Sequence, residues 1–118
     1  MMEKTAIYER LQEALGRLDK VQGFAVATNR VAGNPDDYFE VRITLPNGVV
    51  VEYYKTVGVK SGLTLEFPGQ LGQYCIIEKW ESSQSFQKLG IPQRLDEETL
   101  AYIDEASKTE NWTSGESK

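Results

Sequence analysis

The chain has 118 residues, of which 40% are hydrophobic and 26% are charged, and its formal net charge is −5. A chain of this length forms one domain and buries roughly two-thirds of its unfolded surface, so it needs no metal or disulfide to fold. The single cysteine, Cys75, excludes an internal disulfide and a cysteine-rich zinc site. No apolar run approaches the roughly 20 residues of a membrane span.

The distribution of charge and the absence of histidine narrow the classes of function. Residues 91–118 carry seven acids and three bases, which is four of the five excess negative charges. The sequence contains no cluster of basic residues that could bind the phosphate backbone of a nucleic acid, so direct nucleic-acid binding is disfavoured. Without histidine the chain lacks the usual general base near neutral pH and the commonest metal ligand. The sequence predicts no metal and no cofactor, and it favours a non-catalytic protein.

The beginning of the sequence bears on localisation. The residues MMEKTAIYER are charged and helical in pattern, which does not fit a signal peptide. Together with the absence of an apolar span, this pattern predicts a cytoplasmic protein that does not bind membranes.

Residues 3–20 are predicted to form an amphipathic helix. Gly16 weakens this helix by about 1 kcal/mol relative to alanine, and we expect it to allow close approach of another backbone. The apolar residues recur at the spacing of one helical face: Ile7, Leu11, Ala14, Leu15 and Leu18.

Residues 24–30 are predicted to form the first strand. The following segment, residues 31–37, combines Gly, Asn, Pro and Asp and is predicted to be a loop. Residues 39–45 alternate apolar and polar side chains, which is typical of a half-buried strand.

The next turn allows two registers. If Asn47 and Gly48 form a two-residue turn, Ile43 faces Glu52 on the core side. An unpaired buried carboxylate would cost several kcal/mol or become protonated. This register is therefore disfavoured.

A three-residue loop, 46–48, is the alternative. Gly48 then takes the left-handed bulge position, where glycine is preferred. Every inner pair in this register is apolar: Leu45 with Val49, Ile43 with Val51, and Val41 with Tyr53. The sequence predicts this second register.

The predicted register directs Arg42, Glu52 and Tyr54 to the outer face of the sheet. Tyr and Arg are enriched where protein partners dock, so we predict a protein-binding surface that contains these three residues. In the alternative, the outer face is simply wetted, or is covered by residues 82–90.

The middle of the chain continues the strand pattern. Residues 58–62 are predicted to turn, residues 63–67 to form a strand, and residues 68–73 to form a loop. Residues 74–80 read as a central strand covered on both sides, because the first four are apolar. Cys75 is then a buried core thiol.

The C-terminal part turns helical. Residues 82–90 are predicted to form a short helix, and Asp96 is predicted to cap a last helix that buries Leu100 and Ile103. Residues 1–108 are predicted to form a single domain, and residues 109–118 a flexible acidic and polar tail.

The predicted fold class is α+β. We expect an N-terminal helix, an antiparallel sheet of about five strands, and one or two C-terminal helices packed on one sheet face.

Three functional hypotheses follow from this fold. The favoured one is a small interaction protein that binds a protein partner, or a second copy as a homodimer, through the outer sheet face or the acidic C-terminal segment. An alternative is a small-molecule-binding module with a pocket lined by Tyr53, Tyr74 and Trp80. The least favoured is an enzyme that uses carboxylate, tyrosine or lysine chemistry, such as Glu52 with Tyr54.

Overall fold

The computed structural model describes residues 3–20, 24–25, 30–34, 38–111 and 113–114. In chain order the elements are α1 (Lys4–Leu18), β1 (Phe24–Ala25), β2 (Arg30–Asn34), β3 (Tyr38–Thr44), β4 (Val50–Thr56), β5 (Lys60–Glu66), β6 (Tyr74–Trp80), β7 (Ser85–Lys88), α2 (Glu97–Ala106), a 3-10 turn (Thr109–Asn111) and β8 (Thr113–Ser114).

Strands β2 to β7 form one antiparallel sheet whose spatial order equals their order in the chain. Strands β1 and β8 pair with each other as a separate two-stranded ribbon. The fold class predicted from the sequence, α+β with helices at the two ends of an antiparallel sheet, is confirmed. The main sheet has six strands within the described residues, compared with the five expected.

The two helices cover one face of the sheet, which we call the inner face. The predicted stripe of α1 is buried, with Leu11 and Ala14 fully excluded from solvent. Leu100 and Ile103 of α2 join the same apolar cluster. The strands contribute their alternate, inward-facing residues to it: Val41, Ile43, Val51, Tyr53, Leu63, Leu65 and Ile77.

The hairpin between β3 and β4 adopts the predicted three-residue loop. Ile43 pairs with Val51, the amide of Leu45 donates to the carbonyl of Val49 at 2.8 Å, and Gly48 has a φ of 90°. Only glycine adopts this left-handed conformation without steric cost. The register that keeps Glu52 out of the core is therefore confirmed.

Strand β6 contains a bulge that the sequence pattern did not reveal. Leu63 pairs with Ile77 and Thr64 pairs with Cys75, so Ile76 is an extra residue without a partner in β5. Such a bulge interrupts the alternation of faces, and both Ile76 and Ile77 are fully buried. The apolar run thus reflects one covered face and a bulge, and the prediction of two covered faces is wrong.

Two predictions for residues 31–37 and 58–62 are corrected. Residues 31–34, expected to be a loop, belong to β2 and pair with β3. The turn expected at 58–62 occupies residues 57–59, and β5 already begins at Lys60. In both cases backbone pairing with a neighbouring strand prevails over the local preference of glycine and asparagine for turns. Residues 26–29 of the predicted first strand, and residues 35–37, lie outside the described residues.

The helix predicted for residues 82–90 is also wrong, since Ser85–Lys88 form strand β7 paired with β6. Gln84 adopts a positive φ of 56°, and its amide donates to the carbonyl of Trp80 at 2.8 Å. This bond closes a turn that reverses the chain into the sheet. Residues 82–90 therefore extend the sheet and do not cover its outer face.

Helix α2 begins as predicted. The Asp96 carboxylate accepts a hydrogen bond from the amide of Thr99 at 2.9 Å, which satisfies one of the free amides at the helix start. The side-chain amide of Asn47 donates to the Thr99 hydroxyl at 3.0 Å, so the β3–β4 turn is tied to α2.

The C-terminal segment continues beyond α2. Residues 109–111 form a 3-10 turn, and residues 113–114 pair with β1. Trp112 lies outside the described residues. None of the helices in the described ranges has both the length and the apolar composition needed to cross a membrane.

Candidate interaction surface on the outer sheet face

The sheet has a second face, opposite the helices, which we call the outer face. Along β4 the inward residues Val51 and Tyr53 are buried, whereas Val50, Glu52 and Tyr54 remain partly exposed. The described helices bury their apolar residues on the inner side. The outer face is therefore a half-exposed layer of polar and aromatic side chains.

Tyr54 lies across the outer face towards β5. It pairs with Gly62, and a Cβ atom at Gly62 would lie only 2.6 Å from the ring carbon Cζ of Tyr54. Real Cβ atoms do not approach other atoms so closely, so the ring occupies the space that a side chain at position 62 would need. Tyr54 is thereby held flat on the sheet.

The hydroxyl of Tyr54 reaches a small polar cluster. It donates a hydrogen bond to the Glu78 carboxylate and lies 3.4 Å from the sulfur of Cys75. Lys60 Nζ lies 3.3 Å from the same carboxylate oxygen of Glu78. These four side chains, from β4, β5 and β6, form one connected network.

The pKa values in this network follow from burial and from these contacts. Burial, with the adjacent Cys75 and Glu78, raises the pKa of Tyr54 well above its usual range. Burial alone would raise the pKa of Glu78, but hydrogen bonds from Tyr54 and Lys60 outweigh it and lower that pKa. Tyr54 therefore stays protonated and Glu78 stays ionised near neutral pH, so the hydrogen bond between them is charge-assisted.

The sequence predicts that Cys75 is a core thiol, and this prediction is wrong. Cys75 lies on the outer face under Tyr54, where it is half-buried. Burial, followed by the charge of Glu78, raises the pKa of its thiol. A thiol that stays protonated is a poor nucleophile.

A second polar group lies on β3 and β4. Arg42 pairs across the strands with Glu52, and its guanidinium forms an ion pair with Glu66 at 3.2 Å. The carboxylate of Glu52 instead accepts a hydrogen bond from Gln73 at 3.0 Å. The predicted outward orientation of Arg42, Glu52 and Tyr54 is observed.

Glu40 and Glu52 create an electronegative spot on this surface. Burial and then the neighbouring Glu40 raise the pKa of Glu52, as expected for two carboxylates that share one region. Glu40 also accepts a hydrogen bond from the hydroxyl of Tyr38 at 2.9 Å, and burial together with Glu40 raises the pKa of Tyr38 to about 12. A cation placed beside Glu40 and Glu52 would relieve their mutual repulsion.

Tyr53, Tyr74 and Trp80 are not brought together. Tyr53 is fully buried on the inner face, and its hydroxyl donates to Asp19 at 2.7 Å. Trp80 pairs with Lys60 on the outer face, where Lys60 Nζ lies 4.9 Å from its ring centre. Tyr74 lies at the far end of β6 and is 40% exposed. The three aromatic residues thus face different surroundings and line no common pocket.

Several residues of the outer face were not singled out from the sequence. Glu78 and Lys60 join the network only because β4, β5 and β6 pair in a particular register. The one available signal was Gly62, because a glycine inside a strand often marks the close approach of another group. It was missed because Gly62 was assigned to a turn.

The described residues form no cluster of side chains that could hold a metal ion. Within the part of the chain that the structure describes, no three side chains of the Cys, Asp, Glu or His type converge as metal ligands do. The outer face is thus a surface of fixed hydrogen bonds and ion pairs with three exposed or half-exposed aromatic residues, Tyr38, Tyr54 and Trp80.

The fold and this surface define an α+β domain with an antiparallel six-stranded sheet that is covered by helices on one face. Comparison of the chain with protein-family models, with curated proteins and with solved structures finds no match.

Proposed function

We propose that this protein is a non-catalytic interaction protein that binds a protein partner through its outer sheet face. The observation that carries the proposal is the asymmetry of the sheet. Both helices pack on the inner face, while the outer face presents Arg42, Tyr54 and Trp80, residue types that are enriched in protein interfaces.

The outer face is also held in place before any partner binds. The Arg42–Glu66 and Lys60–Glu78 ion pairs and the hydrogen bond from Tyr54 to Glu78 fix side chains that would otherwise lose entropy on binding. A surface fixed in this way loses less conformational entropy when a partner docks. This supports the hypothesis that the outer face binds a partner, and disfavours the alternative that it is only exposed to solvent.

The acidic C-terminal segment is the weaker candidate, because much of its charge is paired internally. Arg10 of α1 binds both Glu97 and Asp104, and Glu105 pairs with Lys108 at 3.1 Å. Carboxylates already neutralised in this way attract a basic partner less strongly.

The charge of the outer face indicates the chemistry of the partner. Glu40 and Glu52 repel each other, and Arg42 offsets this only in part because its guanidinium forms an ion pair with Glu66, so a cation would relieve the repulsion. We therefore propose a partner that places a lysine or arginine side chain there and an apolar or aromatic side chain against Tyr54 and Trp80.

Affinity capture with matched charge variants tests the proposal. The Glu52→Lys variant reverses one charge on the outer face, and the Glu13→Lys control makes the same change on the exposed side of α1. We expect a protein that is retained by the wild type and by Glu13→Lys, and lost with Glu52→Lys. Equal retention by all three proteins would contradict the outer face as the binding surface.

The enzyme alternative gains no support from the geometry. The hydroxyl of Tyr54 bonds to Glu78 and not to Glu52, and its raised pKa makes it a poor proton donor at neutral pH.

A homodimer is a separate candidate because β7 ends the sheet. Within the described strands β7 pairs only with β6, so a second copy can pair along its free edge. Light scattering distinguishes the two states, since a monomer gives the chain mass of 13.3 kDa and a dimer gives twice that value.

A further inference from the structure

A cavity of about 130 Å³ lies on the inner face, between the end of α1 and the ends of β5, β6 and β7. Its floor is one row of neighbouring inward residues, Ser61, Lys79 and Phe86, which pair across the three strands. Leu15 and Gly16 of α1 form the opposite wall. Cavities of about 150 Å³ hold a benzene-sized molecule, so this cavity matches a ligand of that size.

Gly16 keeps the cavity open. A glycine within a helix costs about 1 kcal/mol relative to alanine, and from the sequence we expect Gly16 to allow close approach of another backbone. That expectation is wrong, because a Cβ atom at Gly16 would have no neighbour within 4 Å. Packing does not require glycine at this position, and its missing side chain leaves room beside Leu15.

Lys79 is the basic residue that lines the cavity. Its ammonium lies 5.9 Å from the centre of the Phe86 ring, and in the described part of the chain no carboxylate lies within ion-pair distance of it. By contrast, Lys55 on the same row binds Asp19 at 2.7 Å. The charges of Asp19 and Lys79 attract each other without forming an ion pair, so Lys79 is a half-buried cation whose ammonium can still pair with an anion.

The two acidic groups at the cavity, Asp19 and Glu81, limit what can bind. Asp19 is already occupied, because Tyr53 and Lys55 both donate to the same oxygen at 2.7 Å. Glu81 lines the cavity without a hydrogen bond to either lysine and would repel a second negative charge. A ligand with a single negative charge suits this set of groups.

We propose that this cavity binds a small monocarboxylic acid with an apolar body. The carboxylate pairs with the ammonium of Lys79, beside Ser61, whose hydroxyl is bonded to Tyr53. The apolar body lies between Leu15 and Phe86 in the space left by Gly16. The site is separate from the outer face, so it adds a small-molecule ligand to an interaction protein.

Titration of the ¹⁵N-labelled protein with benzoate, followed by NMR, tests the proposal, with benzamide as the uncharged probe of the same shape. We expect benzoate to shift the amides of Gly16, Ser61 and Phe86 with a dissociation constant of about 1 mM or lower. Benzamide should bind about tenfold or more weakly, the factor expected for one lost charge-assisted contact.

Two variants and a control sharpen the test. Lys79→Met removes the cation, and Gly16→Leu fills the cavity while improving the helix, so both should abolish the benzoate shifts. Lys88→Met is the matched control, since Lys88 also contacts an aromatic ring, that of Tyr8 at 5.2 Å, but does not line the cavity. It should bind benzoate as the wild type does.

Three results would overturn the inference: equal binding of benzoate and benzamide, benzoate binding that survives Gly16→Leu, or no shift of the cavity amides in the folded wild type. Glu52→Lys should leave benzoate binding unchanged. Failure of the outer-face proposal is thereby distinguishable from failure of this one.

Discussion

Tyr54 and Gly62 interlock on the outer face, so the smallest possible enlargement of Gly62 should be harmful. In Gly62→Ala the new methyl group would overlap the ring of Tyr54, with 2.9 Å to its Cε2 atom. We expect a loss of about 1–3 kcal/mol in the free energy of unfolding, measured by urea denaturation.

Gly16→Ala is the matched control for this substitution, because open space surrounds its Cβ position. It should stabilise the protein by about 0.4–1 kcal/mol. In a Tyr54→Ala background the cost of Gly62→Ala should largely disappear. A neutral Gly62→Ala would show that the ring does not lie over Gly62.

Glu52 provides a pH-dependent prediction at the same scale. Its pKa is raised in the folded state by burial and then by Glu40, so folding favours the protonated form. The stability that it contributes is present at low pH and is lost as the pH rises through the folded pKa. At pH 7 the ionised Glu52 therefore destabilises the fold.

We expect Glu52→Gln to be more stable than the wild type at pH 7 by about 0.2–1 kcal/mol, the scale of a repulsive cross-strand pair. The difference should shrink below about pH 4, because Glu52 of the wild type is then protonated and is as neutral as the glutamine of the variant. Thermal denaturation across this range measures it, with Glu9→Gln on the exposed side of α1 as the control. A variant that is less stable at pH 7 would contradict the assignment.

Among the elements, β6 carries the most specific packing prediction. The bulge turns both Ile76 and Ile77 towards the core. Ile76→Ala and Ile77→Ala should therefore each cost about 2–5 kcal/mol, measured by chemical denaturation. In a regularly alternating strand one of them would face outwards and its truncation would cost little, so one near-neutral variant would contradict the bulge.

The contact between α1 and α2 depends on Arg10. Its guanidinium binds Asp104 and also Glu97, at 2.8 and 3.0 Å to the two oxygens of Glu97. Removing it leaves the half-buried Asp104 with a weaker partner, Arg17 at 3.8 Å. We expect Arg10→Met to cost about 1.5–3 kcal/mol of unfolding free energy.

Lys108→Met is the control for Arg10→Met, because the Lys108–Glu105 pair is more exposed. Its effect should stay within about 0.5 kcal/mol. Equal effects of the two substitutions in urea denaturation would show that the Arg10 cluster does not fasten the helices together.

The elements also show how far local sequence patterns determine this fold. The β3–β4 register was predictable, because only one loop length kept Glu52 out of the core and placed Gly48 at a left-handed position. α1 and the Asp96 cap were predictable for the same kind of reason, since spacing and capping act over a few residues.

The errors lie where distant pairing decides the structure. Residues 85–88 have weak local preferences, and they become a strand because the chain reverses at Gln84 and pairs with β6. Residues 31–34 look like a loop, yet they pair with β3. The network of Tyr54 with Glu78 and Lys60 depends on the pairing register of three strands, so no local sequence pattern predicts it.

At the scale of the whole molecule, the fold places its two candidate sites on opposite faces of one sheet. The outer face offers a broad, partly aromatic surface to a protein partner, and the inner face encloses the small cavity at Lys79. Because successive side chains of a strand point to opposite faces of the sheet, each site can be altered by substitutions that leave the other face unchanged.

Site-specific photo-crosslinking in cells shows whether the outer face contacts a protein partner. A photoreactive phenylalanine derivative is placed at Thr44 or Gln87, exposed positions on the outer face, and at Glu9 or Glu13, exposed positions on α1. We expect one discrete protein adduct from the two outer-face positions and none from α1. An adduct formed only from α1, or equally from all four positions, would contradict it.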